Sequence, residues 1–211
     1  MSQLLFLLSP ARSDGRRAQM LARAGAEFPL AVRLRTAGLP LGEAFAFMSG
    51  LYFRGKLAYA RAFARAHAGT GIHVIAPGFG LLDPDHEVRV ADLQRMGEVG
   101  VSPDSEGYRG PLERDAAQLA AGLAADDRVV LLGSIATDKY FGILEGRLGE
   151  RLVFPRDFVG RGDMSRGGLM LRCAAEGREL ETVPVAGAIR RGPRPPRLEP
   201  LRRHRASLAR G

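Results

Sequence analysis

A single cysteine, Cys173, and only two lysines, Lys56 and Lys139, are the chain's plainest shortages. One cysteine excludes an internal disulfide framework and any multi-cysteine zinc site, and it agrees with a reducing compartment. Long hydrophobic runs are missing as well. The opening apolar stretch, Leu4 to Leu8, is ended by Ser9-Pro10, far short of a membrane span, and no basic residue precedes it as a signal peptide requires. The expectation is a cytoplasmic protein without a membrane partner. The four histidines, His67, His73, His86 and His204, lack metal-ligand spacing, so neither a metal nor a cofactor is expected. No internal repeat or heptad organises the chain.

What is present is ordinary for one globular domain with a tail: 211 residues, 45% hydrophobic and 26% charged, long enough to bury a sizeable core. The net charge of +8 is unevenly placed. Eight arginines (Arg190, Arg191, Arg194, Arg197, Arg202, Arg203, Arg205 and Arg210) against one acid, Glu199, put +7 into residues 188–211 and leave the body at +1. Four prolines and few apolar side chains accompany them, so this stretch is expected to stay disordered behind a domain covering residues 1–187. Two roles fit such a block: a solvated extension, or an arm that grips the phosphates of DNA or another polyanion without reading sequence. The rarity of lysine among 31 basic residues is a bias that coding composition can produce, which lowers the weight of the arginine count itself.

The hydrophobic pattern predicts strands at 3–8, 72–76, 128–132, 151–154 and 181–185. Helices are predicted at 16–24, 51–68, 113–125, 138–148 and 164–175. Pro29 and Pro111 read as breakers, and the stretch from Asp14 to Leu34 is the least legible. In helix 51–68, Leu57, Ala60, Phe63 and Ala64 recur at helical spacing, while Arg54, Lys56, Arg61 and Arg65 are taken as a solvated basic face. Strands alternating with helices indicate an α/β fold, a mostly parallel or mixed sheet flanked by helices.

In such sheets ligands settle beyond the carboxyl ends of the strands, which directs attention to four loops. Ser9-Pro10-Ala11-Arg12-Ser13 offers two hydroxyls and a guanidinium. Pro77 to Asp85 combines two glycines, which let backbone amides approach a ligand, with carboxylates, and is equally a tight turn. Gly133 to Tyr140 leads into a helix that Thr137 or Asp138 caps, or else sets Ser134 and free amides around an anion. Its lysine and glycine spacing is not that of a P-loop. In the fourth, Arg166 before Gly167-Gly168 is a fork of donors suited to phosphate or carboxylate, while Leu169, Met170 and Cys173 are expected to face the core.

Taken in order, the segments LLFLLSPARS, GFGLLDPD, VRVADLQRMG, LLGSIATDKYF and MSRGGLMLRC resemble the YaaA family of peroxide-stress proteins. The densest matches are Ser9-Pro10-Ala11, Gly80-Leu81-Leu82, Arg95-Met96-Gly97, Tyr140-Phe141 and Arg166-Gly167. The chain departs from the pattern at Arg12, where the family has lysine, at Ala76-Pro77, where it has Ser-Gly, and at Lys139, where it has glutamate. The resemblance implies an α/β fold, peroxide-stress protection with nucleic-acid binding, and a cleft lined by these positions. With the loops it makes Ser9, Arg95, Ser134, Tyr140 and Arg166 the candidate substrate-binding residues, a nucleotide-like anionic molecule being the alternative ligand. No catalytic residue is assigned. Were the arginine block a nucleic-acid arm, removing residues 188–211 would abolish duplex DNA binding, and raising salt would weaken the intact protein's binding steeply. Equal affinity of truncated and intact protein at two salt concentrations would rule the arm out.

Overall fold

Residues 2–196 and 198 are described by a computed structural model of the chain. The elements run β1 (Leu4–Leu8), α1 (Arg16–Ala22), α2 (Pro29–Thr36), β2 (Leu39–Pro40), α3 (Leu41–Ser49), α4 (Leu51–Phe63), β3 (Ile72–Ala76) and β4 (Gly80–Leu82). They continue with β5 (Glu87–Val88), α5 (Val90–Val99), α6 (Glu106–Ala121), β6 (Arg128–Leu132), α7 (Phe141–Leu148), β7 (Leu152–Pro155), α8 (Asp163–Glu176) and β8 (Thr182–Pro184).

Successive apolar residues in β1, β3, β6 and β7 are buried, which requires cover on both faces of the sheet. The six strands lie in the order β4-β3-β1-β6-β7-β8. The inner four are parallel, β1 registering Phe6 on Ile72 of β3 and on Val130 of β6, whereas β4 and β8 are antiparallel edges. The chain therefore winds from β1 outward to β3, then returns across β1 to β6. That reversal is the topological switch point of a doubly wound sheet. β2 and β5 form a separate two-stranded ribbon.

Helix α4 lies along β1, Tyr59 meeting Phe6 edge-on at 5.8 Å between ring centroids, and its partner on the other side is α8. These two helices touch backbone to backbone. A methyl group added at Gly55 would stand 2.5 Å from the Gly167 carbonyl oxygen, and one added at Gly167 would stand 2.7 Å from that of Leu51. Only glycine at both positions permits the crossing.

Several boundaries differ from the sequence reading for identifiable reasons. Pro29 opens α2 rather than breaking the chain, since its missing N–H costs nothing in a first helical turn. Pro111 lies inside α6 instead of before it, and the helix begins at Glu106. α4 ends at Phe63 because the following residues turn back, Arg65 pairing with Leu4 at the start of β1. α2, α3 and α5 lie in stretches without a predicted helix, and they are built mainly on tertiary burial of Ala31, Leu34, Leu41, Phe45, Met48, Leu93 and Met96.

Beyond Ala188 the described chain forms no helix or strand. It passes beside Val159 and Gly160, where a side chain at Gly160 would strike the Pro193 carbonyl, and Leu198 packs on the core's edge. The glycine crossing yields a direct test. Gly→Ala in a helix interior normally stabilises by about 1 kcal/mol, but here the steric cost of overpacking, roughly 1–3 kcal/mol or more, dominates. Gly55→Ala and Gly167→Ala should each lower the urea midpoint without changing the slope, whereas Gly146→Ala in α7, which meets no neighbouring atom, should not.

Candidate functional site

The loops after β1, β3 and β6, together with α5 and the first turn of α8, surround a cleft of about 520 Å³ at the switch point. Ser9 to Asp14 form one wall, Ser134, Thr137, Lys139 and Tyr140 another, and Met96 and Gly97 of α5 a third. Ser49, Tyr52, Pro77, Gly100, Val101 and Asp163 complete it. Gly97 has a packing reason as well as a lining one, because a methyl group there would stand 3.0 Å from the Ser13 carbonyl oxygen.

Two cations and two acids line this space. Arg12 is engaged by Asp14 at 2.9 Å, both largely exposed, so the pair is of small energetic weight. Lys139 has no carboxylate partner among the described residues and is the cation free to meet a ligand. Asp163 lies 3.7 Å from the Arg166 guanidinium.

Beneath the wall is a buried polar knot. Lys56 is fully buried, and its Nζ stands 2.8 Å from the Ser9 carbonyl oxygen and 2.7 Å from Ser9 Oγ. The same nitrogen lies 4.0 Å from the Tyr52 ring centroid and 5.3 Å from that of Phe53. Burial is the main reason its pKa falls to about 7; Asp163 opposes that fall and Arg166 adds to it. Tyr140 Oη accepts the Ser134 N–H at 2.8 Å and donates to the Ser134 carbonyl at 2.9 Å, closing the loop on itself. Burial raises the Tyr140 phenol's pKa, with the Ser9 hydroxyl close enough to oppose the rise. Tyr52 Oη is buried without a hydrogen-bond partner among the described residues. Burial pushes its pKa upward too, so it remains a neutral donor; the nearby Arg166 moderates this electrostatically without hydrogen-bond alignment.

Of the five expected binding residues, Ser9, Ser134 and Tyr140 meet at the cleft. Arg166 does not line it. Its Nε and Nη2 donate to the Phe158 carbonyl at 3.1 and 2.9 Å, so this buried guanidinium ties α8 to the preceding loop and acts on the cleft only through its charge. Arg95 is exposed outside the cleft, its Nη2 donating to the Gly78 carbonyl at 3.3 Å and its guanidinium 4.8 Å from the Phe79 ring centroid. The glycines of Pro77 to Asp85 serve the β3–β4 hairpin, Gly78 and Gly80 having φ of 80° and 91°. Asp138 accepts the Gly142 N–H at 2.8 Å from two residues before the N-cap, which is Tyr140 rather than Thr137 or Asp138.

In the arginine block, Arg190 stacks 4.0 Å from the Phe141 ring centroid and Arg191 is exposed. Arg194 lines a separate hollow with Arg161, Ser165 and Arg172. Arg197, Arg202, Arg203 and Arg205 lie outside the described residues. Cys173 is buried, and that burial raises its thiol's pKa. Among the described residues no group of three or more His, Cys, Asp or Glu side chains is placed to hold a metal ion, and no helix is long and apolar enough to cross a membrane.

Sequence reading missed Tyr52, Asp163 and above all Lys56, which it assigned to a solvated face. A signal was nonetheless available. In a chain so rich in arginine the two lysines stand out by their rarity, and Lys139 lines the cleft while Lys56 lies beneath it against Ser9.

Fold and cleft define a doubly wound α/β protein with a ligand-sized opening at its switch point. Compared with known proteins, the chain matches no family model, no curated protein and no solved structure.

The Lys56 pKa makes stability pH-dependent. The unfolded chain holds the lysine proton to about pH 10, while the folded chain releases it near pH 7. Between those values the unfolded state binds more protons, so stability rises with pH. The melting temperature of the protein minus that of Lys56→Met should therefore increase from pH 7 to pH 9, and a constant difference would contradict the buried amine.

Proposed function

We propose that this protein binds a nucleotide-like anionic small molecule in the cleft beyond β1, β3 and β6. The observation that carries the reading is the position of the cleft at the sheet's switch point, where doubly wound folds hold ligands between two strand-end loops. Its volume of about 520 Å³ suits one mononucleotide-sized ligand. Lys139 supplies a charge for a phosphate or carboxylate, the hydroxyls of Ser13, Ser49, Ser134 and Thr137 supply hydrogen bonds, and Met96 and Val101 give an apolar wall for a ring.

A panel of AMP, ADP, ATP and NAD, with adenosine as the uncharged control, tests the reading by thermal unfolding. A ligand at about 100 times its dissociation constant adds about 2.7 kcal/mol of stability. The expected result is a shift with at least one anion and a smaller one with adenosine. Lys139→Ala should weaken binding about tenfold, the worth of one charge-assisted hydrogen bond, while Arg191→Ala should leave it unchanged. Absence of any shift across the panel would overturn the proposal.

A second reading follows the YaaA resemblance: peroxide-stress protection with nucleic-acid binding. It is favoured by the +7 carried by residues 188–211. It places the nucleic acid on the arginine block rather than in the cleft.

A further inference from the structure

Lys56 and Ser9 form a pair that ligand binding does not require. A buried lysine is costly, and the usual compensation is a carboxylate. Lys56 has none in contact. Its hydrogen-bonding partners are two oxygens of one residue, the Ser9 carbonyl at 2.8 Å and Ser9 Oγ at 2.7 Å, and its remaining surroundings are the rings of Tyr52 and Phe53. Ser9 in turn lines the cleft, directly after β1, so one side of the residue faces ligand space and the other faces the amine.

We propose that Ser9 is a nucleophile, with Lys56 as its general base, for acyl transfer from a small carboxylic ester or thioester held in the cleft. A serine hydroxyl becomes nucleophilic when an adjacent base removes its proton, and a neutral lysine serves as that base in serine–lysine pairs. The two contacts of Lys56 have the geometry for it. In the neutral amine, one N–H donates to the Ser9 carbonyl and holds the side chain in place, while the nitrogen lone pair accepts the Ser9 O–H. The lowered pKa supports this state near neutral pH. Arginine in this position would remain protonated and unable to accept, which accounts for a lysine here in a chain otherwise supplied with arginine.

The step balances with residues on the page. Ser9 Oγ bonds to the acyl carbon as its proton passes to Lys56 Nζ, and the carbonyl π electrons move to oxygen. Tyr52 lines the cleft, and its buried Oη, unpartnered among the described residues, is the donor the proposal assigns to that oxyanion. Collapse breaks the bond to the leaving alcohol or thiol, which takes the proton back from Lys56. Water then adds by the same route, releasing the acid and restoring Ser9 and neutral Lys56. Tyr140 is a positioning residue, hydrogen-bonded to the Ser134 backbone just after β6, whose Leu132 carbonyl accepts the Ser9 N–H. The charged groups facing Lys56 are Asp163 and Arg166 of α8, the first favouring the protonated amine and the second opposing it.

The inference rests on the cleft being a small-molecule site, though not on a nucleotide as its occupant. The test therefore uses an uncharged electrophile on the full-length protein without nucleotide. A fluorophosphonate probe is incubated with the protein, and the adduct is located by peptide mass mapping. One adduct is expected, on Ser9, absent in Ser9→Ala and formed about 100-fold more slowly in Lys56→Met. In the parent protein its rate should rise through a single midpoint near pH 7. Should Lys56→Met fail to fold, that pH profile decides. No adduct on Ser9, equal labelling of Ser13, Ser49 or Ser134, an unslowed Lys56→Met, or a rate without a midpoint near neutrality would each overturn the proposal. Labelling of Ser9 together with a null nucleotide panel would keep the nucleophile and remove the nucleotide.

Discussion

The contact between Gly55 and Gly167 is the constraint on which the rest of the site depends. Helices ordinarily stand 8–10 Å apart, kept there by side chains; with glycine on both sides the α4 and α8 backbones come into direct contact. The residues next in sequence, Lys56 and Arg166, are thereby brought within electrostatic reach of each other. Arg166 is fastened to the Phe158 carbonyl and Lys56 to Ser9, so the crossing connects the loop before α8 to the end of β1. A side chain at either glycine would separate the helices and loosen both attachments.

From this crossing the chemistry of the cleft follows. Burial penalises the charge on Lys56, and the Arg166 guanidinium nearby adds to that penalty. The guanidinium cannot lose its proton, so the lysine is the group that yields. Placing a readily neutralised amine against a hydroxyl at a strand end turns a packing solution into a reactive pair. A solvated lysine would remain charged and would have no preferred partner.

Much of the fold was legible in the residues. The four inner strands are apolar runs broken only by His73 in β3 and by Arg128 at the start of β6, and their burial on both faces needs no knowledge of topology. Ser9, Ser134 and Tyr140 could be placed near one another from sequence because a strand end is visible as the point where an apolar run stops. Arg166 was found for a chemical reason that the structure redirects, since its donors are spent on a backbone carbonyl. Lys56 was missed because helical periodicity assigns faces relative to one neighbour, whereas α4 has both β1 and α8 beside it. α2, α3 and α5 were missed because local propensity in short segments is weak beside the burial that tertiary packing supplies.

The sequence by itself determined the four inner strands, the alternation that makes an α/β sheet, the strand-end loops, and the concentration of charge after residue 187. These are local properties, set by the order of apolar and polar residues along a few turns or pleats. Only the tertiary structure decided which loops share a cleft, that Arg166 stands behind it, and that Lys56 lies under Ser9. Those facts depend on the return of the chain across β1 and on two glycines 112 residues apart meeting in space, and no local pattern records a contact of that range.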